Sequence, residues 1–181
     1  MVIPPVRALL FMKLESSRLH RKNIKLFCGK PLCYWILETL SKSKYVVETI
    51  VNTDSEEIAD LVKASFPVTV HMRPDHLLDL GGGDEAYPLM AYDIELTQGE
   101  YFVNVHSTTP LMSHQTLDKS IETFFNKTAF DSLISVTPIR KRLYHSDGTA
   151  INHDPHFLLP TQELPFVYEE NSCIYIFSRN V

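Results

Sequence analysis

The sequence predicts an α/β fold of three layers built around a mostly parallel sheet. Three observations predict it. Strand-like apolar runs alternate with helix-like segments along the whole chain, as when each strand is returned by a crossover helix. The first strand leads directly into a cationic polar loop that ends at a helix start, an order with which α/β proteins build anion sites. The 181 residues, 44% hydrophobic and 22% charged, suffice for one well-buried core. No linker, internal repeat or low-complexity tract divides them, so a single domain over residues 1–181 is expected.

Each element follows from a local pattern. Val6 to Met12 reads as a first strand, and its apolar run Ala8 to Met12 marks it as buried. Pro31 to Leu40 reads as a helix, with Pro31 in the first turn and Leu32, Trp35, Ile36 and Leu40 on one face. Val46 to Asn52 is a second strand. Asp54-Ser55-Glu56-Glu57 reads as a helix start, Asp54 capping and Glu57 closing a capping box, with Ile58, Leu61 and Val62 buried. Val68 to Met72 is a third strand. Leu80-Gly81-Gly82-Gly83-Asp84 reads as a flexible connection to a helix over Glu85 to Leu96. Tyr101 to His106 is a fourth strand, and Ser113 to Asn126 a helix anchored by Ile121, Phe124 and Phe125. Ser132 to Thr137 is a fifth strand, Asp147-Gly148 a turn, Asn152 to Pro160 a loop, and Cys173 to Phe177 a last strand. In such sheets ligands bind at the carboxyl ends of the strands, so the segments after Met12, Asn52 and His106 should share one rim.

Composition excludes several functions. The formal net charge of −5 argues against a nucleic-acid surface. No apolar run is long enough to span a membrane, and Met1-Val2-Ile3-Pro4-Pro5 does not read as a secretory signal. Cys28, Cys33 and Cys173 are odd in number and lack metal-type spacing. They are expected to be reduced, small buried hydrophobes of a cytoplasmic protein.

In an acidic chain, the loop after the first strand stands out. Lys13, Arg18, Arg21, Lys22 and Lys25 gather positive charge there, and Ser16 and Ser17 add hydroxyl donors. Arg grips phosphate oxygens through two parallel hydrogen bonds, and Lys supplies a movable point charge. Phosphoryl and nucleotidyl transfer need such groups to stabilise negative charge in the transition state. A solvated basic loop is the alternative reading of the same charges.

The run Leu9 to Leu32 resembles the opening of the acylneuraminate cytidylyltransferases, the CMP-sialic acid synthetases and their relatives for other acid sugars. Ser16, Arg18, Leu19, Arg21, Lys22, Asn23 and Ile24 match that family's loop, and Gly29, Lys30, Pro31 and Leu32 its helix start. Val51 to Ala59 is similar to its V-S-T-D-D-E-E-I-A, and Arg73-Pro74 with Leu77 to its R-P-x-x-L. Thr108, Pro110 and Leu111 match its Q-P-T-S-P-L segment, where His106 stands for the glutamine. Thr161 to Phe177 resembles its Q-D-L-P-x-x-Y-x-E-N-G-x-I-Y-I.

The resemblance implies a Rossmann-like nucleotidyltransferase fold and transfer of CMP from CTP to a sialic-acid-like sugar, with release of pyrophosphate. It implies that Lys13, Arg18 and Lys22 hold the triphosphate as the catalytic set. Ser16, Ser17, Arg21, Asn23 and Arg73 would bind the nucleotide, and His106, Thr108, Gln162 and Asn171 the sugar. Arg73 also reads as a surface salt-bridge partner, and His106 as a satisfied histidine at a strand end. Mg²⁺ and a homodimer are implied too. The family's D-x-D carboxylate pair follows its Y-I strand, and the sequence ends at Val181 before such a segment, so the domain reads as C-terminally short and the metal ligands are unassigned.

Departures keep a second reading open. Lys13 stands for an arginine, Glu15 for a glycine, Ser17 for a lysine, His20 for a proline, Met112 for an arginine, and Pro160 for the arginine before the last motif. A relative that retains nucleotide or partner binding with impaired transfer fits these residues. Transfer to another base or sugar is a third reading.

Overall fold

The computed structural model describes residues 2–78, 80, 86–127 and 129–181. Their described part falls into two compact units, Met1–Leu133 with Cys173–Val181, and Ile134–Ser172.

The strands of the main sheet are β1 (Val6–Met12), β4 (Val46–Thr53), β5 (Thr69–Met72), β6 (Tyr101–Val105), β7 (Ser132–Ile139) and β8 (Val167–Ser178). A separate two-stranded ribbon is formed by β2 (Leu26–Phe27) and β3 (Lys30–Pro31). The helices are α1 (Leu32–Ser41), α2 (Glu56–Lys63), α3 (Ala86–Leu96) and α4 (His114–Asn126). The main sheet has the order β5–β4–β1–β6–β8–β7. Its β5, β4, β1 and β6 run parallel, and β8 lies antiparallel to β6 with Tyr101 opposite Ser178 and Val105 opposite Ile174. The mostly parallel α/β sheet expected from the sequence is the observed one.

Alternation along β1 builds the layers. Val6, Ala8, Leu10 and Met12 face one side and pack with Ile36 and Leu40 of α1, Ile58 and Val62 of α2, and Leu117 and Ile121 of α4. Leu9 faces the other side with Ile50 and Phe102, against Met90 and Ile94 of α3. A strand covered on both faces is apolar on both, which is why Ala8 to Met12 reads as an unbroken run; Arg7, near the strand's start, is half-buried and pairs with Glu48 at 3.3 Å.

Local details depart from the sequence expectation in instructive ways. Asp54 does not cap α2. Ser55 is the cap, its Oγ accepting from the Ile58 N–H at 3.3 Å, and Asp54 Oδ1 instead accepts from the Leu14 N–H at 2.8 Å. Glu57 closes no capping box, because with Ser55 as the cap it stands one position short of the place that closes one, and its carboxylate pairs with Arg21. In α1 the buried face is Cys33, Ile36, Leu37 and Leu40, while Trp35 turns outward onto the ribbon. There its ring meets Phe27 edge-on, its Nε1–H donates to the Phe27 carbonyl at 3.0 Å, and Lys30 Nζ sits 3.7 Å from the ring centre. Cys33 is buried as expected, but Cys28 is exposed at the ribbon's tip. Cys28 and Gly29 both have positive φ, 49° and 88°, the backbone that a two-residue hairpin turn requires. The last strand begins at Val167 rather than Cys173, and β7 extends to Ile139. The expected connection over Gly81 to Asp84, and Glu85, lie outside the described residues.

The second unit is organised by arginines gripping carbonyls. Arg140 lies 4.0 Å over the Phe166 ring and donates to the Gln162 carbonyl at 2.5 Å. Arg142 donates to the Leu159 carbonyl at 2.6 Å. The expected Asp147-Gly148 turn is present, with the Asp147 carboxylate accepting from both N–H and Oγ–H of Thr149. Those bonds hold the Asp147 carboxyl below its usual pKa.

Candidate functional site

The carboxyl ends of β1, β4, β5 and β6 deliver Lys13, Asp54, Arg73 and His106 to one rim. The loop after β1 is not free chain. Its residues Lys22–Ile24 form a 3-10 turn entered through Arg21, whose left-handed φ of 52° costs about 1–2 kcal/mol in a non-glycine residue. Such strain persists only where surroundings over-determine the backbone.

Asn23 does that here. It is 4% exposed, and its Nδ2–H donates to the Lys13 carbonyl at 2.7 Å. The Ser107 hydroxyl donates to Asn23 Oδ1 at 2.5 Å. One amide thus ties the loop to the ends of both β1 and β6. The Asp54 bond to Leu14 N–H adds a tie to β4.

With the backbone held, the charges sort themselves. Arg21 is paired with Glu57, and Lys30 with Glu38. Glu15 pairs with His20 at 2.7 Å, both exposed, so the carboxylate at the family's glycine position is engaged by the loop's own histidine. Among the described residues, Arg18, Lys22 and Lys25 form no ion pair. Burial, and then the nearby Arg18 guanidinium, lower the Lys22 pKa from its ordinary value. A cation partly desolvated beside another cation is a site waiting for an anion. A concavity of about 330 Å³ lies against this loop, lined by His20, Arg21, Ile24 and Lys25.

Arg73 is not a surface residue and among the described residues it has no ion-pair partner, which corrects that alternative. It is 6% exposed; its Nε–H donates to Asn52 Oδ1 at 2.6 Å and its Nη1–H to the Leu80 carbonyl at 2.9 Å. Burial lowers its pKa, and the carboxylates of Asp54 and Asp93 oppose that shift.

The other expected residues are placed as follows. Lys13 and Ser16 are half-buried, while Ser17 and Arg18 are exposed on the loop. His106 follows β6 with its ring 6.0 Å from that of Tyr175, and its carbonyl accepts from the Thr109 hydroxyl at 2.7 Å. Thr108 is exposed beside it. Gln162 and Asn171 lie in the second unit. Gln162 is exposed in a 3-10 turn, and the Asn171 amide accepts from Ser135 at 2.6 Å and donates to Thr137 at 3.2 Å. Sequence reasoning passed over Ser107 and Asn52, which hold Asn23 and Arg73. Ser107 lies between two residues it did single out, and a small hydroxyl at a strand end was the available signal.

Among the described residues no three His, Cys, Asp or Glu side chains come together as a metal cage. The rim carboxylates Asp54, Glu15 and Glu57 have the partners given above. No helix among the described residues is long and apolar enough to cross a membrane.

Comparison with known proteins bears on this geometry. A family model described as cytidylyltransferase matches residues 8–180. A 3-deoxy-manno-octulosonate cytidylyltransferase of Pelodictyon phaeoclathratiforme is 32% identical over 144 residues, 80% of this chain and 53% of the relative. The pseudaminic acid cytidylyltransferase of Campylobacter jejuni subsp. jejuni serotype O:2 is 25% identical over 168 residues, 88% of this chain and 72% of the relative. A solved CMP:2-keto-3-deoxy-manno-octonic acid synthetase complexed with CTP superposes with a TM-score of 0.73 at 17% identity, covering 98% of this chain and 75% of that one. The chain spans about half the length of the first of these relatives.

Proposed function

The chain belongs to the cytidylyltransferase family, and from that premise we propose that it transfers CMP from CTP to an acid sugar with release of pyrophosphate. The acid-sugar class is that named for its relatives, 3-deoxy-manno-octulosonate or pseudaminic acid. The observation that carries the reading is the latched cationic loop. Arg18 and Lys22 stand without acidic partners among the described residues, on a backbone that Asn23 fastens to two strand ends.

In this reading the sugar's anomeric hydroxyl oxygen attacks the α-phosphorus of CTP. The bond to the bridging oxygen breaks, the electron pair leaves with pyrophosphate, and the hydroxyl proton passes to solvent. Lys13, Arg18 and Lys22 neutralise the triphosphate and the charge that develops on the leaving group. Ser16, Ser17 and the loop amides add hydrogen bonds, and Arg21 and Asn23 hold the loop's shape. Arg73 offers its remaining guanidinium face to the nucleotide, and His106 and Thr108 face the sugar. Gln162 and Asn171 are carried as sugar contacts by the sequence resemblance alone. Mg²⁺ would come with the phosphates, keeping several waters and needing one or two carboxylates in such sites; the described side chains form no cage for it. A homodimer belongs to the same proposal, supported by exposed Phe157, Leu158, Phe166 and Tyr168 in the second unit.

The test is to incubate the protein with CTP, Mg²⁺ and a panel of acid sugars and follow pyrophosphate release. Release that requires both substrates supports transfer. Silence with measurable CTP binding supports instead the binding-only relative, and silence without CTP binding overturns both.

A further inference from the structure

Behind the rim, on the face of the sheet covered by α3, four polar side chains form a chain that the phosphate loop does not use. Asp93 of α3 is fully buried. Its Oδ1 accepts from Asn52 Nδ2 at 2.9 Å and from His71 Nδ1 at 2.9 Å. Asn52, also fully buried, is thereby oriented: with its Nδ2 held by a group that only accepts, Oδ1 must point the other way, where Arg73 Nε donates to it at 2.6 Å. A flipped Asn52 amide would set oxygen against oxygen at Asp93 and donor against donor at Arg73.

The chain ends on the segment after β5. Arg73 donates its backbone N–H to the Thr53 carbonyl at 2.9 Å and its Nη1–H to the Leu80 carbonyl at 2.9 Å. Between these points a 3-10 turn, Asp75–Leu77, buries Leu77. The Arg73 side chain therefore closes this segment on itself and onto β4. A buried carboxylate is a poor way merely to fill an apolar interface, since an apolar side chain of similar size serves stability as well or better. Asp93 Oδ2 is moreover buried without a hydrogen-bond partner among the described residues.

We propose that Asp93, supported by His71, is a positioning residue that acts through Asn52 to fix Arg73 and its segment at the carboxyl rim, and so sets nucleotide affinity. The affinity part rests on the reading of Arg73 as a nucleotide contact.

Asp93→Asn keeps the shape but lets either amide end face Asn52, so the orientation of Asn52 is then set from the Arg73 end alone and the hold on Arg73 weakens. The expected result is a KM for CTP raised about tenfold, with kcat held within about threefold. In an Arg73→Lys background the same change adds no further rise, because the residue acts through Arg73. Independently of turnover, amide exchange at Leu77, Leu78 and Leu80 should quicken about tenfold in Asp93→Asn. Additive effects in the cycle overturn the proposal, and so does unchanged exchange. Should Asp93→Asn not fold, as judged by circular dichroism, His71→Ala removes one of the two donors and is read the same way. A wild-type chain that binds no CTP sinks the proposed function and the affinity part together. The exchange measurement then upholds or overturns the positioning by itself.

Discussion

Replacing Asn23 by alanine should loosen the cationic loop more than any change in its charges. Asn23 and Ser107 are 4% and 5% exposed, so truncation does not admit bulk water freely. The change removes the bond to the Lys13 carbonyl at 2.7 Å and the bond from Ser107 at 2.5 Å. Each orphaned buried group costs about 1–3 kcal/mol, and the Ser107 hydroxyl can rotate to recover part of its share, so the loss should be about 2–4 kcal/mol. With an ordinary urea dependence the unfolding midpoint falls by about 1–2 M. Ser107→Ala removes one of the two bonds, so the double variant should be less than additive by about 1 kcal/mol. A loss below about 0.5 kcal/mol for Asn23→Ala, or additivity within about 0.5 kcal/mol, refutes the latch. CTP binding, measured calorimetrically on the same variants, should weaken in Asn23→Ala although no cation has been removed.

Other outcomes follow from the same structure. Ser55→Ala should cost about 1 kcal/mol and speed amide exchange at Ile58, whereas Asp54→Ala should leave that exchange unchanged and instead free the Leu14 amide. The Lys22 pKa lies below its ordinary value, so CTP affinity should fall as pH rises through it, earlier than an ordinary lysine allows. Arg18→Ala removes the like charge and should move that fall to higher pH in a titration between about pH 8 and 11. Burial pushes the Cys33 thiol up to about 12, from 9.0. Its neutral form therefore favours folding below pH 9, and that stability is lost as pH climbs from 9 toward 12. At pH near 8, thiol labelling followed by mass should find Cys28 reactive, with Cys33 silent until the chain is unfolded.

How much of this was legible in the sequence differs from residue to residue. β1 was read to the residue, because a strand covered on both faces shows as an apolar run, here Ala8 to Met12. α4 was read within one residue, because Ser113 caps and Leu117, Ile121 and Phe124 keep a helical period. β8 was read short, because Tyr168-Glu169-Glu170-Asn171 are exposed and polar, and only backbone pairing makes them strand. Trp35 has a buried-face spacing but lies on the ribbon, since its bulk and N–H find Phe27 and Lys30 there.

The candidate site divides in the same manner. Asn23 and the cations around it were picked out from residue type and order alone. Asp54 and Ser55 are both capping types one residue apart, and the choice between them was made by Leu14, forty positions earlier in the chain, whose amide took the carboxylate. Asp93 carries no signal in its surroundings, Tyr92 and Ile94, that it will be fully buried.

The sequence by itself determined the layered α/β sheet and the cationic loop at the end of β1, because these depend on periodicity, charge and local order, and the resemblance of that loop and the later motifs pointed to the family. Only the tertiary structure decided which charges are spent and which remain. Arg21 is taken by Glu57, Glu15 by His20, and Arg73 is held inward by Asn52 and Asp93. Those pairings range from residues of one loop, Glu15 and His20, to Asn52 and Asp93, forty-one positions apart on two elements. They are settled when folding brings a donor and an acceptor within about 3 Å, a distance that no spacing along the chain encodes.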